Sequence, residues 1–254
     1  MIIGSKLYRT QTTEDSMAWA RSLIHEAPDG ALFLADTYTH AHGRQGRTWQ
    51  IMPGQLMVTM VLKPPLLKVM HTDDLEVRLS QLNMAIALGI VSPLKAYGAS
   101  LKWPNDLVIN QQKIGGLLMQ VVWEGNSPCG IIVGFALNVN NTFTAEHELF
   151  SIATSICMQT GEAVELRGLF KIIMAEIDAW YAAWQQLAFG SIYKAWRQEQ
   201  SFLGKQITVH QKTGAICNGL AQQVLPNGDL QLLVEGEKKP LTISFYQVED
   251  IRLS

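Results

Sequence analysis

Residues 101–139 constrain the fold more than any other stretch. They read "LKW", "DLVIN", "GGLLMQVVW" and "GIIVGFALNVN" in succession, with turn residues between the segments and Asn126-Ser127-Pro128 before the last. Short apolar runs rich in Val, Ile and Leu, closely spaced and bounded by turn chemistry, predict a sheet meander. Helical patterns flank it. Residues 15–27 put Ala18, Ala20, Leu23 and Ile24 on one stripe, which Pro28-Asp29-Gly30 ends. Residues 73–91 carry Leu75, Leu79, Leu82 and Ile86 at three- and four-residue spacings, with Asp73 and Asp74 in the first turn, where the helix dipole favours acids. Residues 163–199 are helical again, with Ile172, Ile173, Ile177, Trp180 and Trp184 as the apolar face. Strands are predicted at 31–35 and 56–62. After Ser201-Phe202-Leu203-Gly204 the texture becomes strand-like throughout, with Asn227-Gly228 a strong hairpin turn. The expectation is an α+β chain with a boundary near residue 200, followed by a small β-barrel.

The charge balance, 20 Lys+Arg against 22 Asp+Glu, lacks the basic excess of a nucleic-acid or membrane-surface binder, so neither is expected as a partner. Any anion site must be local. The three cysteines, Cys129, Cys157 and Cys217, form no CxxC pair, which argues against a disulfide framework or a zinc site. No secretory leader and no uninterrupted apolar run of about 18 residues is visible, and a soluble protein of the reducing cytoplasm is expected.

Two stretches carry chemistry. "HGRQGRTW" (42–49) sets two arginines among glycines that let backbone approach a ligand closely, a pattern suited to an anion. "KWPNDLVINQQKIGG" (102–116) presents Lys102, Asn105 and Asp106 on a proline-stiffened turn, and Lys113 beside Gly115-Gly116. Taken singly, each has an ordinary reading: a lysine before two glycines is a solvated hairpin residue, and Asn-Asp after proline is turn chemistry. Their conjunction is more specific.

The Gly/Arg loop closed by Trp49, then Lys-Trp-Pro-Asn-Asp, Lys113 and the strand end "GFALNVN" (134–140) resemble, in this order and spacing, the biotin protein ligases. The resemblance runs over essentially the whole chain. It implies a catalytic domain of the biotin/lipoate-ligase kind in residues 1–200, a mixed β-sheet with helices on one face, and a small SH3-like β-barrel in residues 201–254. Some members add an N-terminal winged helix; here the ligase region begins almost at Met1, and no such segment is expected. The implied reaction joins the biotin carboxylate to the α-phosphate of ATP, with Mg²⁺, and passes the acyl group to a lysine of a carboxylase's biotin carboxyl carrier domain. Monomer and homodimer both remain open.

On the matching positions, the resemblance makes Lys113 and Arg44 the catalytic cations, with Arg44 retaining the reactive adenylate. It puts the acid against Asp15, Ser16, Met17, Tyr38, Ala41, His42, Gly43, Arg44, Lys113 and Gly116. It puts ATP against Arg44, Arg47, Trp49, Lys102, Asn105 and Asn138. Asp106 would help hold Mg²⁺, or else only buttress its turn. The chain also departs from the family pattern Gly-Arg-Gly-Arg-x-Gly-Arg-x-Trp: Ala41-His42 replace the first Gly-Arg, Tyr38 replaces Gln, and Asp15-Ser16-Met17 stand where members carry Ser-Thr-Asn or sometimes Ser-Thr-Met. These positions read the ureido ring of biotin, whereas the nucleotide side is kept. A lipoyl-type or other carboxylate therefore stands as an alternative acid, and a non-catalytic biotin- or adenylate-binding protein as an alternative class. A transcriptional regulator is disfavoured, for want of a helix-turn-helix segment or basic patch.

Overall fold

The computed structural model describes residues 1–68 and 72–253. Its first part is a seven-stranded mixed sheet built from β1 (Leu7–Thr13), β2 (Ala31–Tyr38), β3 (Gln55–Leu62), β4 (Ser100–Lys102), β5 (Asp106–Ile109), β6 (Gln112–Glu124) and β7 (Ser127–Asn138). The spatial order is β1-β2-β3-β7-β6-β5-β4, with β1 and β2 parallel and every other pair antiparallel. The meander is thus β4 to β7. Strand β7 lies at the centre, and its run Ile131-Ile132-Val133 is fully buried because both faces of the sheet are covered.

Side-chain alternation decides what covers each face. Met60, Leu62, Ile131 and Val133 pack with the helices α2 (Thr72–Leu94) and α4 (Leu166–Gln185). Phe33, Val61 and Ile132 point the other way, onto Ala20 and Ile24 in and just beyond α1 (Ser16–Ser22). Helices therefore lie on both faces, which corrects the expectation of one. A five-residue helix, α3 (Ile156–Thr160), and α5 (Phe189–Gln198) complete the set. Helix α2 is buried almost all round, and at Gly89 it meets α4 so closely that a Cβ would stand 2.6 Å from the Ile177 Cα. The segment Leu75–Tyr97 is long and apolar enough to cross a membrane, but most of it is packed inside the molecule. The Asp73 and Asp74 side chains lie outside the described residues. On α4, Ile172 is exposed rather than part of the buried face, which Leu169, Ile173, Met174, Ile177, Tyr181 and Trp184 form instead.

The C-terminal strands are β8 (Gln206–Gln211), β9 (Ile216–Val224), β10 (Leu230–Val234), β11 (Leu241–Ile243) and β12 (Val248–Leu253). They form an antiparallel sheet in the order β11-β10-β9-β8-β12. Its two edges, β11 and β12, do not pair with each other, so the sheet is open and the expected SH3-like barrel is not formed. Closure is unnecessary here because its apolar side is already covered: Ile207, Val209, Ala221, Leu230 and Ile251 belong to the same buried cluster as α2, α4 and α5. The Trp103 indole N–H adds a tether, donating at 2.9 Å to the Gly228 carbonyl in the hairpin turn between β9 and β10.

Candidate active site

The parallel pairing of β1 with β2 sets the first side of the site. It continues past the strands, with the Thr39 N–H donating to Thr13 O at 3.1 Å and the His40 N–H to Glu14 O at 2.8 Å, and so carries Asp15 alongside the loop that starts at Ala41. Asp15 Oδ1 caps α1 by accepting from the Met17 and Ala18 N–H groups at 2.7 and 3.2 Å. Its other oxygen lies 3.0 Å from His42 Nδ1. Two of the residues that depart from the family pattern are therefore bonded to each other. The loop itself is a small hairpin: the Trp49 N–H donates to Ala41 O, His42 bridges Thr48, and Arg44–Gly46 make one 3-10 turn.

The second side comes from the β4–β5 and β5–β6 hairpins. Lys102 and Asp106 are register partners across the Trp103-Pro104-Asn105 turn, whose Trp103–Pro104 bond is cis. Asn110 and Gln111, both at positive φ, turn the chain back so that Lys113 returns beside Asp106. Lys113 Nζ lies 2.7 Å from Asp106 Oδ1. A Cβ at Gly116 would come within 3.5 Å of that ammonium, so the missing side chain keeps the space over the pair open.

The C-terminal sheet closes the third side, and it supplies residues the sequence reading missed. Arg44 donates to Asn105 Oδ1 at 3.0 Å and to Phe245 O at 2.9 Å. Arg47 donates to Glu249 O at 2.9 Å, and Lys102 Nζ lies 3.0 Å from Asp250 Oδ1. Burial pushes Asp250 up, but Lys102 and Arg252 outweigh it and hold the carboxyl below its ordinary range. Burial likewise pulls the Arg44 guanidinium down, and no carboxylate stands within ion-pair reach of Arg44 among the described residues. Arg44 is thus a partly buried cation whose bonds go to neutral acceptors, an arrangement that favours an incoming anion.

A cavity of about 190 Å³ runs between these three sides. Asp15, Met17, Ala41, His42, Gly43, Arg44, Arg47, Trp49, Lys102, Asn105, Asp106, Lys113 and Gly116 all border it, with Thr59, Phe135 and Ala136 from the sheet floor. Ser16 and Tyr38 do not. Ser16 Oγ is spent on Thr59 Oγ1 at 2.7 Å, and the Tyr38 hydroxyl accepts from the Ala35 N–H and donates to Met57 O. Burial pushes the Tyr38 hydroxyl up, consistent with a structural role. Asn138 borders instead a second, adjoining cavity of about 630 Å³, shared with Arg47, Trp49, Lys102, Asp106, Lys113, Phe143 and Ile152. The indole N–H of Trp49, a residue that lines both cavities, is buried without a partner among the described residues. No group of three His, Cys, Asp or Glu able to hold a metal ion occurs among the described residues.

The sequence pattern of the Biotin/lipoate A/B protein ligase family matches residues 7–138, more than half of the chain, with the 42–49 and 102–116 stretches and the first five residues of 134–140. The chain belongs to this family. Among curated ligases, it is 27% identical over 247 residues to the bifunctional ligase/repressor BirA of Bacillus spizizenii, covering 94% of this chain and 73% of that protein. It is 25% identical over 227 residues to the biotin–[acetyl-CoA-carboxylase] ligase of Paracoccus denitrificans, covering 87% and 91%. Its fold is also that of the Aquifex aeolicus biotin protein ligase solved with biotin and ATP, with a TM-score of 0.81 over 98% of this chain and 100% of that one, at 21% identity. The ligase family's motif residues are thus brought together in this chain around two adjoining cavities that share lining residues.

Proposed function

We infer that the chain is an ATP-dependent biotin protein ligase, forming biotinyl-5'-AMP and transferring biotin to a lysine of a carboxylase's biotin carboxyl carrier domain. The observation that carries this reading is Lys113 and Arg44 in the wall of one cavity, with the larger cavity opening beside them. The smaller cavity takes the acid and the larger takes ATP. An oxygen of the carboxylate attacks the α-phosphorus and pyrophosphate leaves; then the carrier amine attacks the acyl carbon and AMP leaves. Both steps move negative charge among oxygens, so fixed cations and position suffice and no covalent enzyme nucleophile is required. In this scheme Lys113 leaves Asp106 for the reacting oxygens, and Arg44 holds the adenylate phosphate. Mg²⁺ would arrive with the phosphates and supply charge neutralisation. Asp106 is suited to it, having one oxygen free of hydrogen bonds among the described residues, and Mg²⁺ commonly takes one or two protein carboxylates with waters and phosphates.

The bond between Asp15 and His42 supports a second reading, the same chemistry on a different carboxylate such as a lipoyl-type acid, because those side chains are engaged with each other rather than left for a ureido group. A single experiment separates these readings. The purified chain is incubated with ATP, Mg²⁺, a carrier domain and either biotin or lipoate, and the mass of the carrier is read. Biotin addition at one lysine is expected; lipoyl addition alone would transfer the assignment to the second reading, and an unmodified carrier with either acid would refute both. We further propose a cytoplasmic protein divided near residue 200.

A further inference from the structure

Gln55 begins β3, whose only other polar side chain is Thr59, and the orientation of its amide is fixed by backbone groups. Its Oε1 accepts from the Met52 N–H at 2.9 Å, and its Nε2 donates to Gln50 O at 2.9 Å. A backbone N–H and a backbone carbonyl cannot exchange roles, so this amide cannot be turned over. The second Nε2 proton goes to Asn138, which must therefore present its Oδ1, at 2.9 Å. Asn141 donates to the same oxygen at 3.3 Å. The Asn138 NH₂ is consequently directed away from both. Asn138 is buried but borders the larger cavity, and no hydrogen bond from its Nδ2 is formed among the described residues. Trp49, whose buried indole N–H has no partner among the described residues, lines that cavity too, as do Lys102 and Lys113. The Asn138 NH₂, with no acceptor of its own, and the ammonium groups of Lys102 and Lys113, each paired with a carboxylate, thus border a space that suits an acceptor-rich ligand such as a nucleotide.

We propose that Gln55 is a positioning residue for nucleotide recognition: it locks the Asn138 amide with its NH₂ toward ATP. This rests on the reading of the larger cavity as the ATP site. Gln55 itself also lines the larger cavity, but both of its Nε2 protons are committed within the protein, so it offers the ligand no donor of its own and sets the donor at Asn138. Without it, Asn138 can turn over and set its oxygen against ribose or phosphate oxygens, losing a donor where one is required.

Calorimetric titration of the full chain with ATP, and separately with biotin, tests this in a cycle of Gln55→Met, Asn138→Ala and the double variant. Gln55→Met removes the amide without adding charge. It should weaken ATP binding by about tenfold, the effect of leaving one polar group wrongly paired, and leave biotin binding within about twofold. Asn138→Ala should weaken ATP binding at least as much, and in its background Gln55→Met should add less than about twofold, because the two residues act as one unit. Unchanged ATP binding in Gln55→Met, full additivity, or an equal loss of both ligands with a lowered melting temperature would each overturn the proposal. If Gln55→Met does not fold, Gln55→Glu, which keeps the acceptor for Met52, enters the same cycle, where only the coupling is read. Absence of ATP binding in the unaltered chain would instead refute the ligase reading and the cavity assignment together.

Discussion

In the proposed reaction the ion pair of Lys113 with Asp106 is broken by the substrates, so the cost of removing either side chain should appear in the chemistry before it appears in binding. Lys113→Ala should slow adenylate formation by about 10²–10³-fold, the loss expected when one preorganised donor is taken from developing charge, with ATP affinity little changed. Single-turnover pyrophosphate release measures it; a rate within about threefold of the unaltered chain would make Lys113 a hairpin residue only. Asp15 separates two roles in one side chain. Asp15→Asn keeps an oxygen for the helix cap but removes the negative charge that faces His42, and should loosen the 41–49 loop without destabilising α1. Asp15→Ala should cost about 1 kcal/mol more through the lost cap. Trypsin cleavage at Arg44 and Arg47, together with melting temperatures, reads both, and identical cleavage in Asp15→Asn and the unaltered chain would mean that the pair does not hold the loop. The residues legible from sequence were those whose position follows from a local turn, as in 102–116. Tyr38 and Ser16 were misplaced because a residue's site in a motif does not state which neighbour its hydroxyl meets: Met57 O and Thr59 lie 19 and 43 positions away. Gln55 carried only a faint signal, an amide at the head of a mostly apolar strand.

Elements read well wherever periodicity was strong. The meander and α2 are where the apolar spacing put them, since burial on both faces leaves little freedom in such runs. Strand β1 was not anticipated because "LYRTQTT" is mostly polar; it is an edge strand held by parallel pairing with β2, and its side chains do not advertise a core. Strand content after residue 200 was legible, but closure was not. Whether β11 pairs with β12 is a matter of backbone register, to which side-chain alternation is blind. Docking of that open sheet depends in part on Asp250. Its depressed carboxyl binds a proton more readily in the unfolded chain, so the ion pair with Lys102 stabilises the fold above the ordinary carboxylate range and the contribution fades as pH falls through the folded value. Asp250→Asn should therefore lower stability at neutral pH by about 1 kcal/mol or less, because the pair is partly exposed, and should flatten the acid limb of the stability profile. Urea denaturation at a series of pH values from 7 to about 3 checks this. Parallel profiles for the two proteins would show that the pair contributes nothing.

At the scale of the whole molecule, the site is assembled by contacts that no local pattern encodes. The Gly/Arg loop and the 102–116 hairpins supply its cations, yet these cations are oriented by Phe245, Glu249 and Asp250, across sequence separations of 201, 202 and 148 residues. The C-terminal sheet is thereby a wall of the site as well as a separate layer of the fold. The acid end is the part most altered from the family pattern, and the nucleotide end the part most retained. In the proposed reaction this altered end still activates biotin. Isotope exchange between pyrophosphate and ATP, measured on the unaltered chain with Mg²⁺ and biotin, lipoate, octanoate or no acid, tests it most directly, because exchange requires reversible adenylate formation and needs no acceptor protein. Exchange with biotin well above that with the other acids is expected. Exchange that ignores biotin while responding to another acid, or no exchange with any of them, would contradict it.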